Sequence, residues 1–133
     1  MHLWANKNGG WIEVISGSMY SGKSEELIRR LKRAQYANQN ILVMKHGIDK
    51  RYDLEKVVSH NKTELEAIPV STVEKMRQVI DEIKNEIEVI GIDEAQFFEN
   101  EIVDLVDELA NSGKRVILAG LDQDFKGESF HPM

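Results

Sequence analysis

Residues Gly17-Ser18-Met19-Tyr20-Ser21-Gly22-Lys23-Ser24 fit the pattern Gly-x-x-x-x-Gly-Lys-Ser, in which a glycine-rich loop wraps nucleotide phosphates. The two glycines admit backbone conformations that a side chain would block. Successive N–H groups then face inward as a nest for phosphate oxygens. Lys23 is expected to reach the β- and γ-phosphates, and the Ser24 hydroxyl to bind Mg²⁺. Such a loop has to open a helix, whose N-terminus carries partial positive charge and free N–H donors. The flanks agree. Trp11-Ile12-Glu13-Val14-Ile15 is a β-rich segment, and Leu27, Ile28, Leu31 and Ala34 recur at helical spacing up to about Tyr36. A chance glycine turn between a strand and a helix is the bland alternative, and the matching flanks weigh against it.

The rest of the chain alternates in the same way. Ile41-Leu42-Val43-Met44 reads as a second strand, His46 to Asn61 as a polar, turn-rich loop, and Glu64 to Val70 as another strand. Ser71-Thr72-Val73-Glu74 reads as a capping box in which the Ser71 hydroxyl and the Glu74 carboxylate satisfy each other's backbone donors. Val73, Met76, Ile80, Ile83 and Ile87 form one helical stripe. Val89-Ile90-Gly91-Ile92 is a buried type of strand. Ile102, Val103, Val106, Leu109 and Ala110 mark a helix ended by Gly113, and Arg115 to Ala119 a further strand. Strands alternating with helices predict an α/β fold, a P-loop NTPase-like parallel sheet with helices on both faces and right-handed crossovers.

Length and composition bound the reading. One domain over residues 1–133 is expected from 133 residues. With 41% hydrophobic and 30% charged residues the chain reads as soluble and globular. Without a membrane-length apolar run or a signal pattern in Met1 to Gly10, a cytoplasmic protein is expected. The chain has no cysteine, so neither a disulfide nor a thiolate zinc site can form within it. A net charge of −6 disfavours a nucleic-acid surface, and the basic run Arg29, Arg30, Lys32 and Arg33 reads first as a solvated helix face. A subunit contact or a nucleotide-facing edge is the alternative for that run.

A second group of residues completes the chemistry. Val89 to Glu94 is an apolar strand ending in two carboxylates. In a parallel sheet the ligand crevice lies at the C-terminal strand ends, where the loop at Gly17 also sits, so the two should face each other. Asp93 suits a role in holding Mg²⁺, directly or through water. Glu94, where the chain leaves the strand, suits a general base that takes a proton from an attacking hydroxyl or water. The plainer reading is an acidic cap on the helix that follows; its pairing with the phosphate loop argues against that.

Four motifs occur in order: Gly17 to Leu27, Asp49-Lys50-Arg51-Tyr52, Asp93-Glu94-Ala95-Gln96-Phe97-Phe98, and Gly120-Leu121-Asp122-Gln123-Asp124-Phe125. Together they resemble the cellular-type (type II) thymidine kinases, over nearly the whole chain from Gly10 to Met133. Ser18 stands where many relatives have proline, and Ala95 where many have valine or glycine. The resemblance implies transfer of the ATP γ-phosphate to the 5′-hydroxyl of thymidine with Mg²⁺, in deoxynucleotide salvage. It implies Glu94 as general base, and Lys23, Ser24 and Asp93 as phosphate and metal residues. Asp49 and Arg51 belong to a loop approaching the phosphates, and Ala95 and Gln96 to the ATP site. Met19, Phe98, Leu121, Phe125 and Phe130 match positions near the nucleoside pocket. Ordinary core is the plainer reading for Phe97, Phe98, Phe125 and Phe130, and at least one of them, Phe97 first, is expected to be that. A homotetramer and feedback inhibition by thymidine triphosphate are likewise implied. Family members continue past the segment resembling Phe130 to Met133 into a smaller part. It carries Cys-x-x-Cys pairs for a structural zinc and a loop that holds the base, so Zn²⁺ is expected only there.

Three other readings stand beside this one. Asp93-Glu94-Ala95-Gln96 is close to the acidic box of helicases, but such a motor needs two domains and a basic track. An ATP-binding module or RecA-like ATPase without nucleoside kinase activity is the second. A kinase of the same family acting on another deoxynucleoside is the third.

Overall fold

A computed structural model describes residues 2–5, 10–15, 22–48, 67–98 and 100–120, with the side chains of residues 2–5 left out of the description. Six strands form one sheet: β1 (His2–Ala5), β2 (Trp11–Ile15), β3 (Ile41–His46), β4 (Ala67–Val70), β5 (Val89–Asp93) and β6 (Arg115–Ala119). Their spatial order is β1-β2-β6-β5-β3-β4. The five strands from β2 to β4 run parallel, and β1 adds to the β2 edge antiparallel. Among the described residues the helices are α1 (Lys23–Tyr36), α2 (Val73–Ile83) and α3 (Glu101–Asn111), with a short 3₁₀ turn at Ala95–Phe98.

Strand side chains alternate between faces, and here both faces are buried, which is why the strands read as continuous apolar runs. Ile15, Ile41, Val43, Val89, Ile117 and Ala119 pack with Leu27, Leu31 and Ala34 of α1. The alternate residues Val14, Leu42, Met44, Ile90, Ile92, Val116 and Leu118 pack with α2 and α3 on the other face. The α/β reading with helices on both faces is therefore what the chain adopts. From β2 the chain crosses through α1 to β3, passing over β6 and β5. It returns from β5 through α3 to β6 on the opposite face.

Several local expectations are corrected. β1 was not anticipated in the sequence. β3 runs on through His46, so the loop expected from that residue starts later, and the Gly47 N–H is still bonded to the Val70 carbonyl at 2.9 Å. The strand expected from Glu64 is seen over Ala67–Val70, with residues 64–66 outside the described residues. The cap of α2 is Thr72, not Ser71: its side chain accepts the Lys75 N–H at 3.1 Å. Thr72 is extended and its carbonyl accepts the Met76 N–H, which makes it the junction residue; the third helical residue is then Lys75, a donor, so the cap is one-sided and not a reciprocal box. Ile87 is buried but lies past the end of α2 at Ile83, so the stripe is one turn shorter than the spacing suggests.

The basic run on α1 also splits. Arg29, Lys32 and Arg33 are exposed, but Arg30 turns inward to Glu13, a carboxylate only 5% exposed in the middle of β2. Glu13 accepts hydrogen bonds from Arg30, from Arg115 at the start of β6 and from the Trp11 indole. Burial pushes the Glu13 carboxyl up, but the hydrogen bonds from Arg115 and Trp11, helped by the charges of Arg115 and Arg30, outweigh it and hold the group below its ordinary value. An open cavity of about 370 Å³ lies alongside, bordered by Arg30, Arg33, Gln39 and Arg115.

Candidate functional site

The site begins at the head of α1. Gly22 is its N-cap residue with φ 75°, the left-handed region that a glycine enters without penalty. Without a side chain it makes no capping bond of its own to α1. The positive end of the helix dipole there favours an anion. Lys23 and Ser24 are the first two helical residues. Gly17, Ser18, Met19, Tyr20 and Ser21, which complete the loop motif, lie outside the described residues.

Across the sheet edge, β5 ends at Asp93. The Ser24 hydroxyl donates to Asp93 Oδ2 at 2.8 Å, a contact between residues 69 apart in sequence. Asp93 Oδ1 accepts the Glu94 N–H at 2.8 Å, which fixes the carboxylate's orientation. The loop motif and the acidic motif thus meet in space. The approach depends on Gly91, two residues before Asp93 on the same face. A Cβ there would lie 2.7 Å from Leu31 Cδ1, so only glycine lets α1 come this close to β5.

Glu94 follows in a left-handed conformation, φ 54°, unusual for a residue with a side chain. Such a conformation costs about 1 kcal/mol and persists where the surroundings fix it, often at functional sites. It turns the chain out of the sheet and leaves Glu94 exposed at the mouth. Ala95 is fully buried. Gln96 has a buried side-chain oxygen with no hydrogen-bond partner among the described residues. A buried acceptor of this kind calls for a donor, such as an ordered water.

Of the aromatic pair, it is Phe98 and not Phe97 that is core. Phe97 is 55% exposed, whereas Phe98 is 4% exposed and belongs to the core under α3. The His46 ring lies against both, with centroids 5.3 Å from Phe97 and 5.1 Å from Phe98. The expectation that Phe97 is ordinary core is therefore wrong. Asp49, Arg51, Met19, Leu121, Phe125 and Phe130 all fall outside the described residues.

The donor set suits Mg²⁺. A hydroxyl and a carboxylate are hard oxygen ligands, and they converge at hydrogen-bond distance. Among the described residues there is no cluster of three His, Cys, Asp or Glu side chains able to hold a metal ion. Mg²⁺ does not require one, since it is commonly held by one or two protein oxygens together with substrate phosphates and water.

The sequence as a whole matches a protein-family model described as thymidine kinase, over residues 10–133. The chain belongs to the thymidine kinase family. It is therefore a kinase of nucleotide salvage, a transferase that draws on a nucleotide donor such as ATP. Within this family the meeting of Ser24 with Asp93 acquires a chemical meaning, because phosphoryl transfer is catalysed mainly by positioning and charge neutralisation. No helix among the described residues is long and apolar enough to cross a membrane.

Proposed function

We propose that the chain transfers the γ-phosphate of ATP to the 5′-hydroxyl of thymidine. The observation that carries this reading is the 2.8 Å bond from Ser24 to Asp93, which joins the phosphate loop's helix to the acidic strand end. Lys23 and the N-terminal end of α1 bind the phosphate chain. Ser24 and Asp93 would hold Mg²⁺, which would supply positive charge to offset that of the phosphates. Arg51 and Asp49 serve the phosphates, and Ala95 and Gln96 border the ATP site. Met19, Phe98, Leu121, Phe125 and Phe130 frame the nucleoside, with Phe98 acting as a buried support.

Glu94 takes the proton from the 5′-hydroxyl. The oxygen forms its bond to the γ-phosphorus, the bond from that phosphorus to the β-bridging oxygen breaks, and the electron pair leaves with ADP. The left-handed turn at Glu94 supports this assignment, since the residue sits at the strand's end and is exposed. A cytoplasmic homotetramer belongs to the same reading.

The test is Glu94→Gln in the full chain, assayed for thymidine-dependent phosphate transfer and for ATP binding. A base acts on the hydroxyl and not on ATP, so turnover should fall by roughly 10²-fold or more while ATP affinity stays within about twofold. Wild-type turnover in the variant would remove Glu94 from the role. Transfer to deoxycytidine but not thymidine would change the acceptor and leave the mechanism standing.

A further inference from the structure

β3 lies on the side of β5 away from the phosphate loop. Its residues Ile41 and Val43 face α1, in the cluster that holds Leu27 and Leu31. Alternation places Lys45 on that same face. The parallel register pairs Lys45 with Asp93, the residue that receives the Ser24 hydroxyl. Neighbouring strands are about 4.8 Å apart, so the flexible four-carbon lysine stem easily spans the gap. Lys45 is also where the buried run of β3 gives way to an exposed residue.

The partners of Asp93 are already assigned. Oδ1 accepts from the Glu94 N–H and Oδ2 from Ser24. Lys45 is in none of the ion pairs among the described residues. An exposed ammonium therefore stands beside the acidic strand end without being spent on it. The phosphate chain enters from the β2 side, at the head of α1, where Lys23 approaches it. Lys45 approaches from the opposite side of Asp93.

We propose that Lys45 is a second phosphate-binding lysine, contacting the terminal phosphate of a bound nucleoside triphosphate from the β3 side. The inference rests on the reading of this crevice as an ATP site. A solvated lysine at a strand end is the plain alternative, and it makes a different prediction. Only a contact with the terminal phosphate distinguishes ATP from ADP.

The experiment is equilibrium binding of ATP and of ADP to the full chain, with Mg²⁺ and in EDTA, for wild type, Lys45→Met, Lys45→Arg and Lys23→Ala. Thermal melting of each variant accompanies it. Losing one hydrogen bond between charged groups should weaken ATP binding by about 10- to 100-fold. ADP binding and the melting temperature of Lys45→Met should stay unchanged, and Lys45→Arg should recover part of the loss. Equal affinities of Lys45→Met and wild type for ATP would overturn the role of Lys45, and if Lys23→Ala is still impaired the ATP-site reading survives. Equal weakening of ATP and ADP would overturn the terminal-phosphate assignment. Failure of wild type itself to bind either nucleotide would overturn the ATP-site reading and this inference with it.

Discussion

Gly91→Ala tests the link between packing and the site most directly. The added Cβ would lie 2.7 Å from Leu31 Cδ1 and 3.1 Å from Cδ2, against an ordinary contact range that begins at 3.4 Å. Leu31 is fully buried between α1 and the sheet, and has no open space to turn into. Helix and strand must then separate by roughly 0.7 Å, or Leu31 must leave its rotamer, at a cost of about 1–3 kcal/mol. Carried along α1 to Ser24, the same shift would take its 2.8 Å bond to Asp93 beyond hydrogen-bond range. Two readouts separate stability from function: urea unfolding, and Mg²⁺-dependent ATP binding under conditions where the variant is fully folded. The expected result is a loss of both, with ATP affinity down by about tenfold. Leu31→Ala should be destabilising on its own by about 2–5 kcal/mol. In the double variant the new methyl enters the space vacated by Leu31, so the two costs should fall short of additive by about 1 kcal/mol or more. Strict additivity, or unchanged stability and ATP binding in Gly91→Ala, would falsify the close-approach argument.

Three further outcomes follow from other contacts. Ser24→Ala removes the hydroxyl donated to Asp93 and should weaken ATP binding in Mg²⁺ while leaving binding in EDTA nearly unchanged, read by parallel titrations. Glu13→Gln leaves Arg30 and Arg115 without their buried counter-charge and should cost about 3 kcal/mol in urea unfolding. Because the folded state holds the Glu13 carboxyl below its ordinary value of 4.5, its contribution is present above that pH and is lost as pH falls toward the folded value. The gap between wild type and variant should therefore narrow in acid, and a gap that widened below that pH would contradict the assignment. Thr72→Ala should destabilise by about 1 kcal/mol while Ser71→Ala has a smaller effect, and the reverse order in thermal melts would restore Ser71 as the cap.

The parts of this molecule that sequence made visible are those whose physics is local. A strand buried on both faces must be apolar throughout, and Ile41 to Met44, Val89 to Ile92 and Val116 to Ala119 are. The helix start at Lys23 was legible because the loop motif's glycine, lysine and hydroxyl positions require a helix to open there. Where two neighbours offer the same chemistry, local reasoning has no purchase. Ser71 and Thr72 both carry hydroxyls, and the helix entry geometry decides between them. Phe97 and Phe98 are both aromatic, and a four-residue 3₁₀ turn has too little periodicity to say which faces inward. Nothing local marks Glu13 as a buried ion-pair residue, because its partner Arg115 lies 102 residues away.

The candidate site depends on that second kind of information. Motif order places Ser24 before Asp93 but does not bring them together. That follows from the sheet order, in which β6 lies between β2 and β5. With one strand interposed, α1 must lean across β6 onto β5 for its first turn to reach the acidic end, and it packs against both strands. Such a lean brings the Leu31 side chain down on β5 at Gly91, the position where a side chain would have held the helix off. A glycine inside an otherwise β-branched strand weakens that strand, and here it permits the 2.8 Å contact at the strand's end. The same register sets Lys45 beside Asp93. Gly91 and Lys45 each look unremarkable in the sequence, one as a strand defect and the other as a surface charge. Strand order and pairing register give them a bearing on the proposed phosphate site.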